Sequence, residues 1–274
     1  MTRTTSRERK AWSALDDARV YTLAHVLETG IPHHSSDPPF AFSLTKLHGD
    51  YVHQDGVSAA GDLFVLGGHV GTHIDAVSHF SKDGRIHGGV EVGLHQSMKD
   101  GISIGSVEQM PPLVATAHLV DVPLLLGRAV TVRDGIGAAE FEAWFEERVA
   151  PQAGEVVLVR TGWDAHWGDP PAFLGTETGL PGLTLSGANW LAARNVVAVG
   201  SDTPAVEMMP SPALEVHVHL LVEAGIPLLK SLRLSELAED AVYECLLVVA
   251  PLPVRGATGS PVQPLAIVGG RDDE

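Results

Sequence analysis

Apolar positions along the chain fall into two rhythms. Short unbroken runs bounded by turn residues predict buried strands at 20–25, 63–66, 117–122, 155–160, 196–199, 243–250 and 262–268. Elsewhere the apolar residues recur every three or four positions, and Phe141, Trp144, Phe145 and Val149 draw the stripe of an amphipathic helix over 137–150. Further helices are expected over 186–195 and 213–224, the second stopped by Gly225. Strands and helices therefore alternate, which predicts an α/β or α+β fold. Residues 1–19 are charged and polar and read as a tail or a docking helix. The remainder, 20–270, holds no repeat, no low-complexity block and no internal linker, so a single domain is the expectation.

Two long irregular segments interrupt the alternation. Residues 28–62 are rich in Gly, Pro, Ser and His, and 168–184 carries Pro170, Pro171 and Pro181. Loops of that length usually serve function. Phe40 and Phe42, beside the Pro38–Pro39 pair, are expected either to wall a substrate pocket or to anchor their loop on the core. The second segment is a candidate lid.

Composition narrows the function. A 45% hydrophobic content over 274 residues is ample for a packed core. The formal net charge of -16 argues against nucleic acid or an anionic membrane as partner, because either would repel the chain at long range. There is no apolar stretch of membrane-spanning length and no signal-peptide pattern, so a cytoplasmic location is expected. The single cysteine, Cys245, sits in a strand-like apolar run and reads as packing rather than as a nucleophile.

The candidate chemistry is concentrated in Gly67-Gly68-His69-Val70-Gly71-Thr72-His73-Ile74-Asp75-Ala76-Val77-Ser78-His79-Phe80. On an extended chain His69, Gly71, His73 and Asp75 share one face, yet full extension would hold His69 and His73 roughly 13 Å apart. A helix would instead send His73 and Asp75 to opposite sides. A bend at Gly71, where positive φ is tolerated, lets both imidazoles and the carboxylate surround one cation. If a helix begins near Asp75, His79 follows four residues later on the same face. Two imidazoles and a carboxylate with no thiolate suit zinc, manganese or ferrous iron and leave the ion open to water.

His69-x-Gly71-Thr72-His73-x-Asp75-x-x-x-His79 resembles the signature of the cyclase family of metal-dependent hydrolases, which includes kynurenine formamidases and isatin hydrolases. The resemblance runs on through residues 20–25, 159–163, 181–183 and 199–204 to Gly259-Ser260-Pro261-Val262. It departs at Val77, where many members have proline, a change in stiffness more than in chemistry. It implies a swivelling β/β/α architecture, a mixed sheet curled toward a barrel with surrounding helices, assembled as a homodimer or homotetramer. It also implies His69, His73 and Asp75 as metal ligands and His79 as proton relay. Similarity to the family's His-x-x-Leu-Leu segment favours His217 over His219, which on a helix would project about 200° away. Where two-zinc formamidases carry a glutamate ligand, this chain has Lys230, which cannot ligate while protonated. The resemblance therefore points to one divalent ion, Mn(2+) or Zn(2+).

The expected function is hydrolysis of a small-molecule amide, cyclic amide or ester by metal-activated water. In that scheme His79 serves as base and then acid, His217 steadies the carbonyl or oxyanion, and Lys230 faces the site or the solvent. Two alternatives stand beside it. One is a non-haem iron oxygenase, for which His73-x-Asp75 matches part of the ligand triad and Arg233-Leu234-Ser235 mimics a 2-oxoglutarate clamp. The other is a catalytically silent metal-binding protein, against which His79 argues.

Overall fold

In a computed structural model, which describes residue 15 and residues 17–269, nine strands form one mixed sheet. They are β1 (Arg19–Thr22), β2 (His73–Asp75), β3 (Leu113–Asp121), β4 (Val156–Arg160), β5 (Ala198–Ser201), β6 (Leu228–Lys230), β7 (Glu244–Val249), β8 (Gly259–Pro261) and β9 (Leu265–Val268). Their order across the sheet is β1-β9-β7-β3-β4-β5-β6-β2-β8. The central β3-β4-β5-β6 block is parallel and both flanks are antiparallel. Parallel strands lie covered on both faces, and this is why residues 156–159 read as one unbroken apolar run. Val157 and Val159 pack into one core with α1 (Ala138–Phe145) and α2 (Leu185–Ala192). Val156 and Leu158, on the other face, pack with Tyr21, Ile74 and Leu247.

Helix α1 begins where the stripe predicts, with the Gly137 N–H donating to the Glu140 side chain at 2.8 Å. Phe141 and Phe145 both stack on Trp190 of α2, which seals the helix layer. The helix stops at Phe145, short of the expected end, and Val149 is exposed. Residues 215–224 are helical as expected, but Val218–Ala224 winds as a π-type turn before Gly225 caps it at φ +71°. Such wider turns re-aim side chains and often stand next to functional sites.

The run at 63–66 departs most from expectation. Gly61–Val65 pairs with Ala41–Lys46 as a two-stranded ribbon outside the main sheet, and Phe42, Leu44, Leu63, Phe64 and Val65 are all about half exposed. An apolar run alone does not say what covers it. The expected tail at 1–19 lies almost wholly outside the described residues. No helix among those described is long and apolar enough to cross a membrane.

Candidate metal centre

The site grows from strand β2. Successive strand residues point to opposite faces, so His73 and Asp75 share one side while Ile74 enters the core beneath. Asp75 ends the strand, and a turn follows in which the His79 N–H donates to the Ala76 carbonyl at 2.9 Å. A turn rather than the expected helix thus brings His79 back. Gly71 adopts φ +73°, the bend the spacing required, and its carbonyl accepts from His73 Nδ1 at 2.8 Å. That bond turns His73 Nε2 toward Asp75 Oδ1, 3.4 Å away.

His69 comes in from the other side of Asp75. Its Nδ1 lies 2.8 Å from Asp75 Oδ1 and its Nε2 2.9 Å from Thr258 Oγ1, while its ring stacks on His79 at 3.8 Å. Room for that ring depends on Gly259 of β8, opposite Asp75, where a Cβ would stand 2.4 Å from His69 Cε1. Ligand atoms of His69, Asp75 and His79 all lie within 4.8 Å of one another. His73 is not part of that mutual group, although its ring also packs edge-on against that of His69, with centroids 5.3 Å apart.

Pairing of β2 with β6 delivers the next residue. Lys230 stands directly opposite His73 in the ladder, so their side chains share a face. Lys230 Nζ lies 2.7 Å from Asp75 Oδ2, although not in line for a hydrogen bond, and Oδ2 keeps no hydrogen-bond partner. Lys230 Nζ also sits 3.0 Å from His217 Nε2, and His217 Nδ1 is 2.6 Å from Glu207 Oε2. An ammonium only donates, so His217 accepts at Nε2 and donates its Nδ1 proton to Glu207. His219 instead pairs with Glu223 nearby on the same turn.

The electrostatics follow from this geometry. Burial pushes the Asp75 carboxyl upward, but the Lys230 charge and the His69 and His73 contacts outweigh it and hold the group well below the usual carboxylate range. Burial pushes His79 down to about 3, and it lowers His73 and His217 as well, the last reinforced by Lys230. Uncharged imidazoles beside a charged, buried carboxylate, whose Oδ2 has an ion-pair contact but no hydrogen bond, are what a cation-binding centre needs. The donor set, nitrogen and oxygen without sulfur, fits a borderline divalent ion.

A cavity of about 900 Å³ opens over the cluster, with His69, His73, His79, His217 and Lys230 in its wall. Phe40 and Phe42 are not in that wall. Phe40 packs with Ile31 and Val70, and Phe42 lies on the exposed ribbon, so neither lines this cavity as the pocket expectation had it. The loop at 32–37 and the segment 173–180 do contribute to the wall. Glu207 was not foreseen. It lies ten residues before His217 with no motif spacing, and its one signal is indirect: it accepts the Val216 and His217 N–H groups at the start of that helical segment.

The Cyclase family model matches residues 21–208. The chain belongs to the cyclase family. Among its cyclase relatives, isatin hydrolase of Roseibium aggregatum is 28% identical over 92% of each chain. Kynurenine formamidase of Bacillus cereus is 26% identical over 88% of this chain and 93% of its own. A crystal structure described as a novel cyclase superposes with a TM-score of 0.85 at 23% identity, covering 97% of this chain and 92% of that one, a likeness of fold. Isatin hydrolase A of Ralstonia solanacearum gives 0.75 at 26% identity, with 98% of each chain covered. The helix-flanked mixed sheet is therefore the cyclase fold that the resemblance implied. The relatives are hydrolases, and the oxygenase alternative finds no support: Arg233 pairs with Glu236 at 2.9 Å and Ser235 Oγ donates to Asp164, so neither forms a free clamp.

Proposed function

We propose that this cyclase hydrolyses a small amide, cyclic amide or ester, a range that takes in the isatin hydrolase and kynurenine formamidase activities of its relatives. The observation that carries the proposal is the buried, charged Asp75 with His69, His73 and His79 gathered beside it beneath one cavity. His69, His73 and Asp75 would hold one divalent ion, Mn(2+) or Zn(2+). For His73 the support is its Nδ1 bond to the Gly71 carbonyl, the outer contact that typically orients a ligating imidazole. A bound cation supplies Lewis acidity, lowering the pKa of a coordinated water toward about 7 and polarising a substrate carbonyl.

The side chains divide the remaining work. His79, uncharged at neutral pH, takes a proton and returns it to the leaving nitrogen or oxygen. His217 has its Nδ1 proton committed to Glu207 and its Nε2 lone pair to Lys230, so it has no proton to offer an oxyanion. That role passes to the Lys230 ammonium, and His217 positions it. Charge already placed there also leaves little reason for a second cation, since like charges a few ångströms apart repel by several kcal/mol at an effective dielectric of about 20.

The same proposal holds residues 20–270 to be one catalytic domain in a cytoplasmic homodimer or homotetramer. For assembly the support is the apolar ribbon at 41–65, since two strands alone are marginally stable and this pair is exposed. The test is a panel of small amides, lactams and esters given to the protein with Mn(2+) or Zn(2+) restored. Turnover that a chelator abolishes and metal returns is expected; no turnover on any member with either metal would overturn the proposal.

A further inference from the structure

The volume and the wall of the cavity say more than the cluster alone. About 900 Å³ lies near the upper end of drug-sized binding sites, roughly 300–1,000 Å³, and far exceeds what a formyl group or a single ring requires. Much of the wall is apolar, with Phe80, Phe173, Leu180, Met209 and Leu214 contributing to it. Phe173 and Leu180 belong to a packed cluster with Trp163 and Met209, and Phe80 stacks on His217 at 4.7 Å, so this surface is preformed rather than loose.

Charge is distributed unevenly over the same wall. Among the described residues its only ammonium or guanidinium is Lys230, which is buried and already engaged by Asp75 and His217. Its acidic residues are Asp37, half-buried, and Glu177, exposed, which therefore lie toward solvent. A substrate carboxylate remote from the scissile bond would find no free ammonium or guanidinium in this wall, only the imidazoles of half-buried His33 and exposed His34 in the same loop as Asp37.

We propose that the cavity selects neutral substrates carrying a bulky apolar group on the scissile amide or ester, and rejects those with a carboxylate distant from that bond. The inference rests on the hydrolytic reading for the reacting bond, but not for the binding preference. It is tested with the full chain and a series of straight-chain acyl anilides from acetyl to octanoyl, each longer member paired with its ω-carboxylate. With metal restored, kcat/KM should rise about fourfold per added methylene over the first several, the fold-change equivalent of about 0.8 kcal/mol per buried CH2. Each ω-carboxylate should fall at least about tenfold below its neutral partner. Glu177→Lys, at an exposed position, should narrow that gap.

Binding of the same anilides to the metal-free protein, measured by isothermal titration calorimetry, separates the two claims. If no anilide is hydrolysed yet the neutral long-chain members bind best, the hydrolytic reading fails for amides and the cavity inference stands. A flat or falling dependence on chain length, or carboxylates bound as well as their neutral partners, would overturn the inference even if turnover is rapid.

Discussion

Two buried carboxylate centres in this chain meet opposite fates. Asp75 and Asp202 are both fully buried, and burial pushes each toward the neutral acid. Around Asp75 stand an ammonium and two imidazoles, so it remains a charged group, with Oδ2 ion-paired to Lys230 and Oδ1 facing His69 and His73. Asp202 accepts instead from the N–H groups of Thr161, Gly162 and Trp163 and from the Thr161 hydroxyl, all uncharged donors, while Asp164 adds a like charge beside it. Its carboxyl is raised to about 6. Hydrogen bonds to neutral donors satisfy a carboxylate's geometry. A formal positive charge at 2.7 Å is what keeps it ionised.

The comparison breaks most completely at Asp75→Asn. That change removes the carboxylate and leaves Lys230 buried without its counter-charge, so metal binding should be lost and stability should fall by about 3–5 kcal/mol. Urea denaturation and metal content read the two effects separately. If the variant is as stable as the parent, Lys230 is not held by Asp75. Next in size, His79→Ala should keep its metal and lose about 10²- to 10⁴-fold in kcat, because it removes the proton relay and no primary ligand. Loss of metal in that variant would instead make His79 a ligand, the arrangement in which it replaces His73 beside His69 and Asp75.

What the sequence carried toward these centres was uneven. The His-x-Gly-Thr-His-x-Asp spacing and the bend at Gly71 made the cluster legible, because the needed conformation is one that glycine readily supplies. The apolar stripe of α1 and the unbroken runs of the parallel strands were legible for the same local reason. Lys230 was visible only as a departure, since its place beside Asp75 is set by β2–β6 pairing, a contact across more than 150 residues. Gly259, as the space for His69, depends on a pairing of that kind and left no local trace, whereas Glu207 is only ten residues from His217 but follows no motif spacing. The ribbon at 41–65 misled in the other direction: its apolar residues are real, but nothing in the described chain covers them. Cys245 behaved as read, buried and with its thiol pushed up to about 12 by burial.

A smaller effect sharpens the Asp202 side. Its folded carboxyl titrates above the ordinary value of 3.8, so between pH 4 and 6 the native state binds more protons than the unfolded chain. Stability from this group is therefore fully present below about 3.8 and is lost as pH rises through about 6, by about 3 kcal/mol at most. Denaturant melts of the parent and of Asp202→Asn across pH 4 to 7 should differ in slope, with the variant lacking that decline. Parallel profiles would mean that Asp202 is ionised throughout, and that hydrogen bonds alone suffice where a cation was held necessary.

The central claim is that the charged Asp75, with its histidines, forms a site for one divalent cation whose neighbouring position Lys230 already fills. Isothermal titration of Mn(2+) or Zn(2+) into the metal-free, unmodified chain tests it most directly, with Lys230→Glu titrated alongside. The account predicts one tight equivalent per chain in the parent and a second in the variant, through the new carboxylate and His217. No tight binding in the parent, or two equal tight sites in it, would contradict the account.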